Sequence, residues 1–402
     1  MTAIAIAMLL FVQDQDKTQQ ELQDLKDRIE KLEKEKQGGA AGQNALNPTI
    51  AVIGNFLWRM DNDDVIAGDG VTELDDKVLV REVELDLRAA IDPYADGMLV
   101  LTFEAETPGT FEVDVEELHV RIKSLPFGFW EKPPLGTKIT LGRFRTQIGR
   151  MNVLHLHDLP SPNRPRVIQE FLGEEGQIGD GAWLQFFLPS PGDTALELHL
   201  QAMQGGNAGI CQESDEPCYL ANLAFFWPIS DEFSLNASLI FFLGKNTDLT
   251  GDEGANSEVV SLDALFKWKP LRQGEYRSFI FGAQVMKSLS HEFATDTDLD
   301  GIADVMAETK PLGWYAWAQY QFSKEIYVGA RYDFTEFLTN DDLDRSTITA
   351  YVSYYFSEFF RVRLAVERTT SDDPLEDELL TSLFEVNVVF GAHPPHPFWV
   401  NK

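Results

Sequence analysis

Carboxylates spaced two apart are the first residues in this chain with a chemistry to offer. Asp296-Thr-Asp-Leu-Asp-Gly-Ile-Ala-Asp304 has the D-x-D-x-D-G spacing of calcium loops, in which oxygens converge on one ion and Gly301 permits the turn. Asp296, Asp298, Asp300 and Asp304 are candidate calcium ligands; an EF-hand's bidentate glutamate would fall at Ala307, and the alternative is a solvated acidic loop. Cys211 and Cys218, the only cysteines, bracket a polar stretch and read as a disulfide closing a loop in an exported protein. His155-Leu-His157-Asp158 and His393-Pro-Pro-His396 bring few ligands each, and zinc is expected at neither. No G-x-S-x-G, Walker or H-E-x-x-H arrangement and no Ser/His/acid trio stands out, so the sequence points away from an enzyme and requires no cofactor, calcium being optional.

The other charged residues fall on alternating positions, and that spacing identifies the elements that carry them. Glu82, Glu84, Asp86 and Arg88 point one way while Val83, Leu85, Leu87 and Ala89 point the other; Arg361, Arg363 and Glu367 alternate with Val362, Leu364 and Val366. Such segments recur at 48–60, 78–91, 98–106, 111–123, 137–147, 180–188, 194–205, 218–228, 233–243, 257–268, 276–290, 312–322, 325–335, 346–356, 358–369 and 379–391. That makes about sixteen strands with one apolar and one wet face, the pattern of a transmembrane antiparallel β-barrel. Short turns such as Ser323-Lys-Glu325 and Ser357-Glu358 interleave with longer acidic loops. Aromatics including Phe226, Trp227, Tyr354 and Phe356 flank the short turns, as at a lipid boundary. The fold class is therefore all-β, preceded by a helix. The apolar run Ala3–Val12 is too short to cross a bilayer as a helix, and a formal charge of −32 argues against nucleic acid.

Residues 1–16 resemble the apolar core of a secretory signal followed by a polar stretch. Leu22, Leu25, Ile29 and Leu32, at 3-4-3 spacing within 17–37, predict a short periplasmic coiled coil, and the glycine-rich stretch 38–46 a linker. The barrel is expected over 47–402, in the outer membrane of a diderm bacterium and in contact with its lipid.

A barrel of this size leaves a lumen, and the third outer connection, about 148–179, is long enough to fold into it. Glu82, Glu84, Asp86, Glu112 and Asp114 predict an acidic wall; Arg121, Lys123, Arg331, Arg361 and Arg363 predict a basic one. Around the long loop, Arg143, Arg145, Arg150, Arg164, Arg166 and Glu170 are candidates for a constriction, or else for ion pairs holding the loop to the wall.

The run Leu141-Gly-Arg-Phe-Arg-Thr-Gln-Ile-Gly-Arg150, the loop with Arg164 and Arg166, and the return Gly176-Gln-Ile-Gly-Asp-Gly-Ala182 resemble the constriction region of the phosphate-selective porins. Asn47-Pro-Thr-Ile and Gly391-Ala-His-Pro-Pro-His396 are similar to related short barrels often labelled TonB-dependent receptors. The resemblance implies a trimeric sixteen-stranded porin with an inward-folded third loop, passing small hydrophilic solutes or ions. A lysine-rich pore, which the phosphate-selective members have, is missing here. The alternatives are a structural barrel tethered through its coiled coil and a metal-binding surface receptor.

Overall fold

Wall strands meet edge to edge in a computed structural model of the chain, which describes residues 48–400 apart from 63–64, 67–72, 75–76, 108–109, 207–208, 213–215, 247–254, 296–304, 375, 377 and 393–395. The signal-like segment, the coiled coil, the linker and the candidate calcium residues Asp296, Asp298, Asp300 and Asp304 lie outside the described residues.

In chain order the strands are β1 (Thr49–Asp61), β2 (Lys77–Ala90), β3 (Ala95–Thr107), β4 (Thr110–Ile122), β5 (Lys138–Arg145), β6 (Ile178–Leu188), β7 (Ala195–Gln204) and β8 (Cys218–Pro228). They continue as β9 (Phe233–Asn246), β10 (Ala255–Trp268), β11 (Ser278–Thr295), β12 (Val305–Thr309 and Leu312–Gln321), β13 (Ile326–Glu336), β14 (Asp344–Ser357), β15 (Phe360–Ser371) and β16 (Leu379–Gly391). Both pieces of β12 pair with β11, so they make one interrupted position in the wall. Every neighbouring pair is antiparallel, and β1 pairs with both β2 and β16, which closes the ring at sixteen positions and leaves no free edge.

The wall is inside out relative to a water-soluble protein. On β15, Leu364 and Val366 are 57% and 49% exposed on the outside, while Arg361 and Arg363 are 4% and 1% exposed on the inside. An apolar exterior is stable only against lipid, so this distribution carries the membrane reading with it. Among the described residues no helix is long and apolar enough to cross a membrane.

Two of the wall's bulges change which side chains reach the lumen. On β2, Asn55 faces Glu82 while the next residue of β1, Phe56, faces Val80, leaving Arg81 extra; on β4, Val100 faces Glu117 and Leu101 faces Val115, leaving Glu116 extra. A bulge lets two successive side chains face the same way. Arg81 and Glu116 are thereby turned into the lumen beside Glu82 and Glu117.

The connections alternate in kind as expected, with two exceptions. The turn joining β3 to β4 is short, and the segment between β4 and β5 on the opposite rim carries two single-turn 3-10 helices, Gly128–Glu131 and Pro134–Gly136. Cys211 and Cys218 form a disulfide across the β7–β8 connection.

Candidate functional site

The segment between β5 and β6 leaves the wall and packs inside the barrel. Its two ends are tied together: the Thr146 amide donates to the Gln177 carbonyl at 3.0 Å, and the Asn152 side chain donates to both carbonyls at 2.9 and 3.0 Å. Between them runs α1 (Arg166–Leu172), started after Pro165 and stopped at Gly173, whose φ of 85° suits glycine. Val167, Ile168, Phe171 and Leu172 of α1 are fully buried, each contributing about 2 kcal/mol of apolar burial to seating the helix. The wall makes room for it. A Cβ on Gly313 of β12 would lie 2.4 Å from Val167.

Polar anchors on the wall hold the rest of the loop, and most of them are arginines bonded to main-chain carbonyls. Arg81 donates to Pro162 O at 2.7 Å, Arg361 to His157 O at 2.9 Å and Arg363 to Leu159 O at 2.7 Å. Arg331 donates to Arg164 O at 3.3 Å and contacts Ser161 and the Asn163 carbonyl closely. Glu385, wholly buried, sits between Arg361 and Arg363 at 2.9 and 2.8 Å, with Arg81 at 3.5 Å and the Asn55 amide at 2.6 Å. Opposite, Gln201, Asn222 and Gln284 bond the loop's backbone at Gln147 and Ile148.

These anchors correct several expectations. Arg331, Arg361 and Arg363 face the lumen, but they are buried beneath the loop and bonded to it, so they offer solutes no open positive wall. Arg145 and Arg164 act as braces: Arg164 donates to Met151 O and Leu154 O at 2.6 and 2.7 Å, and Arg145 to Glu175 O at 2.6 Å while pairing with Glu116. Arg166 bonds Gln169 at 3.0 Å, and Glu170 accepts from the Leu338 amide at 2.9 Å rather than pairing with an arginine. Arg143 is outside the lumen. It stands opposite Leu118 and Asp180 on the outer face because its neighbours Thr140 and Phe144 occupy the inner one, and its nearest charge is Asp180 at 3.5 Å. Arg121 lies inside, its guanidinium 5.0 Å from the Trp183 ring centroid, and Lys123 pairs with Asp96 at 2.7 Å near the short-turn rim. Glu112 and Asp114 face inward near the opposite rim, solvent-exposed and opposite Glu104 and Thr102; Asp86 is buried and clamped by Arg88 at 2.6 Å.

Of the arginines expected in the constriction, Arg150 is the one that lines a cavity within the lumen. It pairs with Asp263 at 2.7 Å and lines, with Gln147, Glu197, His199 and Asn222 and the apolar Val153, Phe225 and Phe226, a mixed cavity of about 300 Å³ between the loop and β7–β10. Phe398 reaches the same cavity, because residues 396–400 fold back inside the barrel after β16. Trp399 is fully buried there, donating to Asp158 O at 2.6 Å, with the Arg361 and Arg363 guanidinium groups 5.9 Å from its ring.

The loop also delivers both of its histidines to the acidic strands. His155 Nδ1 lies 2.7 Å from Glu116 and its Nε2 3.1 Å from Glu117; His157 Nδ1 lies 3.1 Å from Glu84. Burial alone would push the His157 imidazole down, but the Glu84 and Asp158 carboxylates outweigh it and hold it at about 9. His155 is raised for the same reason, burial being outweighed chiefly by Glu84 and Glu117. No local pattern announces this meeting, since Glu84 and His155 are far apart along the chain.

No family model matches the chain. A curated protein of Aquifex aeolicus (strain VF5), described only as uncharacterized, is 26% identical over 351 residues, covering 78% of this chain and 69% of its own length. The outer membrane channel DcaP of Acinetobacter baumannii superposes with a TM-score of 0.54 at 12% identity, covering 86% of this chain and 96% of that one. An anion-selective porin from Comamonas acidovorans gives 0.50 at 11%, covering 85% and 99%. OmpT of Vibrio cholerae, in its trimer form, gives 0.51 at 10%, covering 86% and 100%. At these identities the likeness is one of fold, and the fold is that of a porin-like barrel.

Proposed function

We propose that this chain is an outer-membrane porin through which small hydrophilic solutes or ions diffuse down their gradients, its lumen narrowed by the third long loop. The observation that supports it most is the asymmetric filling of the lumen: the loop lies against β13–β16 and β2, and a cavity beside Arg150 and Asp263 is left on the other side. Opposite charges beside a narrow passage favour polar over apolar solutes. Diffusion needs no catalytic group and no cofactor. Phosphate preference has little support, because Arg145, Arg164 and Arg166 are bonded to carbonyls, carboxylate and amide groups instead of facing open space. A homotrimer is the assembly we infer, by analogy with the trimer form of the Vibrio cholerae barrel, with residues 17–37 as an accessory periplasmic clamp. Calcium on the Asp296–Asp304 turn would stiffen one outer loop, and unchanged protease sensitivity of that loop after chelation would argue against it.

Single-channel current of the purified protein in a planar bilayer under a salt gradient tests the reading. Open steps are expected, with a reversal potential that moves when Arg150 is neutralised. A second reading, a structural barrel with little transport, draws on the burial of Trp399 and α1 in the lumen. A folded barrel without conductance would establish that reading in place of the porin.

A further inference from the structure

Glu82 and Glu84 project from β2 into the lumen, 3% and 1% exposed, and His157 comes down onto them from the long loop, 4% exposed. Glu82 Oε2, Glu84 Oε2 and His157 Nδ1 are all buried, and apart from the contact between Glu84 and His157 none of them has a partner. One ligand atom from each of the three residues fits within 4.8 Å of the others, and Glu84 Oε2 is 3.1 Å from His157 Nδ1. Bonds of about 2.0–2.1 Å to a tetrahedral zinc ion place adjacent ligand atoms roughly 3.3 Å apart, so this pair already has the required separation.

We propose that Glu82, Glu84 and His157 form a binding site for a divalent transition ion, zinc being the probe, which fastens the long loop to strand β2. Two carboxylate oxygens and an imidazole nitrogen are a borderline donor set that suits zinc and not calcium, which takes six or more oxygens. The other ring nitrogen, Nε2, lies 3.6 Å from the Asp158 carboxylate, the outer partner that orients a metal-bound histidine. Arg361 and Trp399 fix the main chain at His157 and Asp158 through their carbonyls, which holds the imidazole in place. A neighbouring trio, Glu84, Glu116 and His155, is less suited, because Glu116 already pairs with Arg145 and with His155 Nδ1 at 2.7 Å. A cavity of about 40 Å³ lined by Ile53, Asp158 and His396 reaches His157.

This inference is independent of solute passage: a folded barrel that binds zinc but conducts nothing would leave it standing and sink the porin reading. The test is calorimetric titration of zinc chloride into the full chain in detergent, after chelation and dialysis, with folding checked by heat-modifiable gel mobility. One zinc per chain is expected, weakened about tenfold to a hundredfold by His157→Gln and by Glu84→Gln, and unchanged by His396→Ala. Should either variant fail to fold, Glu82→Gln serves in its place with the same expected loss. No zinc bound by the folded wild type, or binding unaffected in the folded variants, would overturn the site.

Discussion

Replacing Glu385 by glutamine keeps its shape and removes the one negative charge between three buried guanidinium groups. Arg361 and Arg363 sit 2.9 and 2.8 Å from it and Arg81 3.5 Å, and each of the three also carries a carbonyl of the long loop. Breaking a buried ion pair from one side costs about 3–5 kcal/mol, because the partner charge is left uncompensated. The sixteen-strand ladder does not depend on this carboxylate, so the penalty falls on loop docking. At about 1.4 kcal/mol per tenfold, the undocked population should rise by roughly a hundredfold to a few thousandfold. The assay is cleavage of the loop by trypsin at Arg166–Val167, the Arg164–Pro165 bond being resistant, in barrels that remain heat-modifiable. Faster cleavage should be accompanied by larger or noisier conductance steps. Glu197→Gln, on the open side of the lumen, should leave cleavage unchanged. If Glu385→Gln is cleaved no faster than wild type, the loop is held by its apolar packing, and the argument from the arginine carbonyl bonds is wrong.

Three further outcomes follow from the same geometry. Arg150→Ala leaves Asp263 at the cavity without its partner, so the reversal potential should move toward cation selectivity. Gly313→Val drives two methyl groups into Val167, and overpacking of this kind costs about 1–3 kcal/mol, read as faster loop cleavage with the barrel intact. Trp399→Ala removes a fully buried indole whose loss costs about 3–5 kcal/mol in a packed site; residues 396–400 should then become accessible to protease and conductance should rise.

The wall was largely legible in the sequence because its cause is local. Alternation of apolar and charged residues requires only neighbours along one strand, which is why β8 and β16, read at 218–228 and 379–391, are found over the same residues. Even the bulges left a trace: the outward apolar residues change from even to odd numbers between Val78 and Val83, and from odd to even between Val113 and Leu118. That change of phase was the available signal for Arg81 and Glu116. Depth and company were hidden. Whether Arg363 faces water or a loop carbonyl depends on a segment some two hundred positions away, and nothing near Glu84 announces His157. Arg143 is outside because Leu141 and Arg143, two apart on β5, share the outer face.

The lumen is built from two walls with different obligations. One, from β13 through β16 to β2, is committed to carbonyl groups whose positions are fixed by the backbone of the loop, and a substitution there changes the architecture. The other, from β7 to β10, meets the loop through Gln201, Asn222, Asp263 and buried apolar residues such as Met203, Ile240 and Phe242, while Glu197 and His199 border the cavity without bonding the loop, so these two side chains can be exchanged singly. Changes in what the barrel admits can therefore accumulate on the second wall by ordinary drift, without any compensating change on the first. Relatives that keep Arg81, Arg361, Arg363 and Glu385 but differ at Glu197 and His199 would share one scaffold while serving different diets.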